Sequence, residues 1–192
     1  MSDSPPQPCA VDDVIVPPLP GKAGAKRQAE REAFMALSKT LSHTPDAAPQ
    51  RLVETAMRLT GGDSAGISLE DKEGEEMVFR WVAVAGEFSR YLNGTMPRFF
   101  SPCGTVLERR QPLVMRDPVR HFGYISQLHV PVRSALLVPF GRRGKLIGTV
   151  WVAAHKQEKQ FTAEDVRTVQ GLTTFSTSIL DAVENLHRPR PS

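Results

Sequence analysis

The chain has 192 residues, 40% of them apolar, and a formal charge of +3. That is one domain's worth of sequence with ample apolar material for a core. The basic residues are scattered rather than gathered in the stripe that nucleic-acid readers carry, two cysteines are too few for a disulfide framework, and no apolar run approaches the roughly 20 residues that span a bilayer.

The opening segment, MSDSPPQPCAVDD, has neither the basic n-region nor the apolar h-region of a secretory signal. A reducing, cytoplasmic setting is therefore expected. Pro5, Pro6, Pro8, Pro17, Pro18 and Pro20 forbid a helix over residues 1–24 and predict an extended, disordered arm. Val14, Ile15 and Val16 could pin part of that arm to the domain, and Cys9 is read as an incidental thiol. The domain proper is expected over residues 25–187, with a short tail at 188–192.

A helix is predicted over 25–42, with Phe34, Leu37 and Leu41 on one face and Ala29, Ala33 and Ala36 beside them. A second is predicted over 47–60, capped by Asp46, tolerant of Pro49 in its first turn and ended by Gly61-Gly62. Its apolar face is Leu52, Val53, Ala56 and Leu59. A short strand follows at 64–69 and a longer one at 76–85, with a turn at 71–75. Strict alternation would put Met77, Phe79, Trp81, Ala83 and Ala85 on one face and Val78, Val82 and Val84 on the other.

Residues 86–133 form a long irregular region, aromatic from Phe88 to Phe122. It should hold one helix over 102–110, a strand over 113–116 and a helical turn over 117–121. Irregular regions this long tend to be lids or binding lobes. Next come the apolar runs Leu136–Phe140 and Leu146–Ala154, joined by Gly-Arg-Arg-Gly-Lys. They predict an antiparallel hairpin, and the unbroken apolar character of the second run marks a central strand covered on both faces. The last element is a helix over 163–187, opened by Thr162 and Asp165 as a variant capping box. Val169, Leu172, Ser176, Ile179, Val183 and Leu186 keep heptad-like spacing, which adds a parallel dimer contact to the expectation of packing on the sheet.

Three stretches resemble the GAF domain family: LVETAMRLTGGDSAGISLED, SALLVPFGRRGKLIGTVWVAAHK and FTAEDVRTVQGLTTFSTSIL. The resemblance covers roughly residues 30–186. It implies an α+β, GAF/PAS-like fold: an antiparallel sheet of about five or six strands, terminal helices on one face and the irregular lobe roofing a pocket on the other. It also implies a non-enzymatic small-molecule sensor or signal transducer. Because the sequence stops shortly after its last helix, the output is expected through dimeric terminal helices, on a histidine kinase or another signalling partner.

Placed on that topology, the expected pocket lining is Trp81, Phe100, Cys103, Phe122, Tyr124 and Arg133, the last as an anion clamp. Ser101-Pro102-Cys103-Gly104 is the sharpest local motif. Ser101 caps and Pro102 opens the helix, which puts Cys103 in the first turn, where helix N–H groups favour a thiolate. Gly104 would let a ligand approach the backbone. The preferred reading of Cys103 is nonetheless the plain one, a small buried Cys in a well-capped helix. The competing function is a thiol-based redox enzyme or sensor similar to the free-methionine sulfoxide reductases.

Three family activities leave partial traces. Bilin-binding members usually follow the linking Cys with His, whereas Gly104 follows Cys103, so a covalent bilin is not expected. The sulfoxide reductases use a set of cysteines, and only Cys103 lies in the domain. Cyclic-nucleotide binders carry Asn-Lys, then Phe and Asp-Glu. Lys156, Phe161 and Asp165 match, but His155 and Val166 do not. His121 and His129 lack metal-site spacing, no catalytic constellation stands out, and the sequence names no cofactor.

Overall fold

The structure, a computed structural model, describes residues 24–187 apart from residue 157. The proline-rich arm over residues 1–23, Cys9, the tail from 188, and the side chains of Val183 and Leu186 lie outside the described residues.

Six strands form one antiparallel sheet: β1 (Ser64–Glu73), β2 (Glu76–Gly86), β3 (Thr95–Pro97), β4 (Leu113–Arg116), β5 (Ser134–Arg142) and β6 (Lys145–Ala154), in the order β3-β2-β1-β6-β5-β4. The two long hairpins meet at the centre, where β1 pairs with β6 from Ser64 opposite Ala153 to Leu69 opposite Gly148. β6 is thus an inner strand covered on both faces, as its unbroken apolar run requires. The β5–β6 hairpin closes on Arg143 and Gly144, both at positive φ (50° and 81°). That left-handed pair suits a two-residue turn.

Three helices cover one face: α1 (Gly24–His43), α2 (Ala48–Thr60) and α4 (Ala163–His187). Leu37 of α1, Leu52, Val53 and Ala56 of α2, and Val169, Leu172 and Ile179 of α4 are fully buried against Ile67, Leu136, Val138, Val150 and Val152. Val169, Leu172 and Ile179 therefore spend the described part of the heptad seam inside the domain rather than on a partner. α4 begins with a reciprocal capping box: Thr162 N–H donates to Asp165 Oδ2 at 2.9 Å, and Asp165 N–H donates to Thr162 Oγ1 at 3.3 Å. Asp46 does not cap α2. It lies in a 3-10 turn (Pro45–Ala47), and Ala47 takes the cap position without a side-chain bond. Pro45 and Pro49 start the two segments separately.

The other face is covered by the segment between β2 and β5, which contains α3 (Pro102–Arg109) and 3-10 turns at Ser89–Tyr91, Pro118–Arg120 and Gly123–Gln127. α3 packs on β5 and β6.

Strict alternation fails in β2. Ile67 pairs with Ala83, but the next residue, Ser68, pairs with Trp81, leaving Val82 as an extra residue. This bulge switches the facing of the strand. Phe79 and Trp81 pack under the lobe, while Ala83 and Ala85 pack under the helices. The turn after β1 is also tighter than expected, Gly74-Glu75 alone, so β1 runs four residues further, to Glu73.

Candidate functional site

Between the lobe and the sheet lies a cavity of about 320 Å³. Its floor is the lobe-facing side of the sheet: Trp81 of β2, Ala135 and Leu137 of β5, and Trp151 and Ala153 of β6. Its roof is Pro102 and Cys103 of α3 with Tyr124, Ile125, Leu128 and Val132. Exposed Gly94, Thr95 and Gln127 mark the side open to solvent.

The aromatic wall is continuous. The ring centroids of Trp81 and Trp151 are 4.8 Å apart, those of Trp81 and Phe88 6.0 Å, and Tyr91 meets Trp81 edge-on at 6.1 Å. These spacings lie within or near the range in which aromatic pairs attract beyond their area burial. Trp151 can lie flat because Gly66 stands beneath it on β1. A Cβ on Gly66 would come within 2.2 Å of the indole.

Under that wall runs a buried polar chain. Trp151 Nε1–H donates to Ser68 Oγ at 2.9 Å, the Cys103 thiol donates to the same oxygen at 3.7 Å, and Thr149 Oγ1 donates to Cys103 Sγ at 3.2 Å. Burial pushes the Cys103 thiol up from its ordinary value, against the smaller opposing pulls of Thr149 and Ser68. The first-turn position of Cys103 therefore does not yield a thiolate, because desolvation outweighs the helix N-terminus. Gly104 does not serve ligand approach either. Ser101 Oγ takes its N–H at 3.1 Å, and a Cβ there would meet the Arg98 carbonyl oxygen at 2.2 Å.

Two polar atoms of lining residues, neither with accessible surface on the cavity, have no protein partner. The Trp81 Nε1–H and the Tyr124 hydroxyl are both buried and unbonded among the described residues. Burial also holds the Tyr124 phenol well above its ordinary value.

Of the six residues expected at the pocket, Trp81, Cys103 and Tyr124 line the cavity. Phe100, Phe122 and Arg133 do not. Phe100 is largely exposed and meets Phe122 at 5.3 Å and Tyr124 at 6.3 Å from outside the roof. Phe122 is buried within the lobe. Arg133 lies next to a separate surface hollow and faces Asp117 at 3.9 Å. Sequence reasoning missed Phe88, Tyr91 and Trp151 as lining. The bulge and the return of the lobe at Leu128 and Val132 bring them together, and neither follows from local pattern.

His155 joins this wall to the frame of the sheet. Its Nδ1 lies 3.0 Å from the Pro131 carbonyl, so that nitrogen carries the proton, and Nε2 accepts from the Ser64 hydroxyl at 2.8 Å. Ser64 Oγ also accepts the Phe88 N–H at 3.1 Å, and the Phe88 ring packs on His155 at 4.6 Å. Ser64 follows directly on the Gly61–Asp63 turn that ends α2.

The half-matched cyclic-nucleotide residues lie away from the cavity. Phe161 is in the helix-side core, Asp165 caps α4, and Lys156 is exposed.

The sequence profile of the GAF domain matches residues 42–181. The chain belongs to the GAF domain family. Solved GAF domains share its fold. One is from an Acinetobacter phosphoenolpyruvate-protein phosphotransferase, with a TM-score of 0.72 at 16% identity, covering 88% of this chain and 100% of that one. The free methionine-R-sulfoxide reductase of Neisseria meningitidis, solved with its substrate, superposes with a TM-score of 0.66 at 19% identity over 88% and 98% of the two chains. The Stigmatella aurantiaca phytochrome photosensory core gives 0.64 at 16% identity, over 85% of this chain and 37% of that one. No curated protein sequence matches the chain. At these identities the GAF likeness establishes the fold, the expected α+β sheet with helices on one face and a lobe on the other. Among the described residues no helix is long and apolar enough to cross a membrane.

Proposed function

We propose that this GAF domain is a non-enzymatic, cytoplasmic sensor that binds a small molecule in the cavity between sheet and lobe. The observation that carries the reading is the cavity itself: an aromatic-walled space of about 320 Å³ between sheet and lobe. A guest that fills it removes apolar surface from water, worth about 25 cal/mol per Å². A ligand against Phe88 presses on the His155–Ser64 clasp, which stands next to the end of α2. α2 packs on both α1 and α4. Occupancy would therefore shift the helical layer, which would act on a signalling partner, a histidine kinase among the candidates, or through a second copy of the chain.

The thiol-redox alternative draws on Cys103, the free cysteine among the described residues. Its burial and raised pKa weigh against it.

Native mass spectrometry of the purified protein, with its visible spectrum, tests the reading. A noncovalent adduct that is lost in Ala153→Phe, which puts a ring into the cavity, supports it. A bare protein whose melting temperature no small-molecule library changes overturns it.

A further inference from the structure

The cavity has an unusual electrical character for its size. Among its lining residues there is no Asp, Glu, Lys, Arg or His. Arg98 and Glu70, which pair with each other, and Arg133, which faces Asp117, all lie outside it. The lining groups that could ionise, Cys103 and Tyr124, are both held protonated by burial, and the Tyr91 hydroxyl is engaged with His129 at 3.1 Å. A charged guest would leave water for a space with no counter-charge, and that desolvation goes unrepaid.

The unmet Trp81 N–H and Tyr124 hydroxyl have no accessible surface on the cavity, so they offer a guest no bond. Most of the surface that a guest meets is aromatic or aliphatic.

We propose that the cavity selects an uncharged, largely aromatic molecule and rejects anions. This rests on the cavity being the ligand site, and it adds the chemical class. It excludes nucleotides, amino acids and carboxylate-bearing chromophores as occupants.

Three near-isosteric probes separate the possibilities: 2-acetylnaphthalene, neutral with a carbonyl; 2-ethylnaphthalene, neutral without one; and 2-naphthoate, anionic. Affinities are measured by isothermal titration or ligand-observed NMR on the full chain and on Gln127→Lys, which brings a cation to the exposed mouth of the cavity. The two neutral probes should bind within about threefold of each other and naphthoate at least about tenfold more weakly, the loss for a charge taken from water without a partner. Gln127→Lys should narrow that gap. Naphthoate equal to or above the neutral probes in the wild type overturns the charge selection and leaves the cavity standing as a site. Binding of none of the three removes the site reading as well.

Discussion

Trp151 and Cys103 donate to one oxygen, Ser68 Oγ, from opposite sides of the sheet–lobe seam. The hydroxyl thus ties β6 and α3 to β1 at a buried point. Ser68→Ala leaves an indole N–H and a thiol without their acceptor. It should cost about 1–3 kcal/mol in urea unfolding, with the indole contributing most because its bond is shorter. Ser68→Thr keeps the oxygen and should lose less than Ser68→Ala. A neutral Ser68→Ala would show that the chain of bonds adds nothing to stability.

Gly66 sits under the Trp151 indole with no room for a side chain. Gly66→Ala should destabilise by about 1–3 kcal/mol through overpacking and red-shift the Trp151 fluorescence as the ring is pushed off the strand. Adding Trp151→Leu should recover part of the loss, though not all, because the Ala83 carbonyl oxygen also stands 2.9 Å from the new carbon. Additive losses in the double variant would mean that the indole is not the obstacle.

Stability should fall at alkaline pH, with a sign set by burial. Both the Cys103 thiol, ordinarily at 9.0, and the Tyr124 phenol, ordinarily at 10.0, are raised in the native state. The native chain keeps these protons after the unfolded chain has released them. The unfolded state then binds fewer protons, and the stability present below the ordinary pKa is lost as pH rises through 9.0 and towards the raised native value. The limiting slope is about 1.4 kcal/mol per pH unit for one group. Tyr124 should add the same limiting slope from 10.0 upward. The difference between wild type and Cys103→Ala in urea titrations from pH 8 to 10 isolates the thiol. A difference that is flat across that range would contradict its burial.

Asp165 closes the start of α4 through bonds to the Thr162 N–H and hydroxyl and an ion pair with Lys159 at 3.3 Å. Asp165→Ala should cost about 1–2 kcal/mol. Asp165→Asn, which keeps an acceptor, should cost less. Neither should alter probe binding, since the cap lies on the helix side of the sheet, so an altered affinity would reveal coupling between α4 and the cavity.

The fold was largely legible because its signals are local. Leu37, Leu52 and Val169 recur at helical spacing, Arg143-Gly144 marks a turn, and Leu146–Ala154 declares an inner strand by being apolar throughout. The cavity was legible only in part. Cys103 and Tyr124 lie on or beside short elements with recognisable starts, and the lobe as a whole was visible as the cover of the sheet. Phe100 and Arg133 drew attention by residue type, yet their positions depend on where irregular backbone turns back, which no periodicity encodes. At Cys103 the preferred reading, a small buried Cys, holds, and the thiolate weighed against it does not: a helix start can be read from letters, but the burial that opposes a charge is a property of what folds over it. Trp81 was placed on the right strand with the wrong company, because one unpaired residue defeats alternation.

That unpaired residue, Val82, marks a place where β2 can lose a codon and keep its two faces. Without it, Ala83 would still stand opposite Ile67 and Trp81 opposite Ser68, so Trp81 would stay on the floor of the cavity and only the local kink would go. A codon lost elsewhere in the strand would slide the register by one residue and exchange what faces the helices with what faces the lobe. The bulge is thus a reserve of length, the point where the frame of the chamber can be shortened without re-sorting its walls.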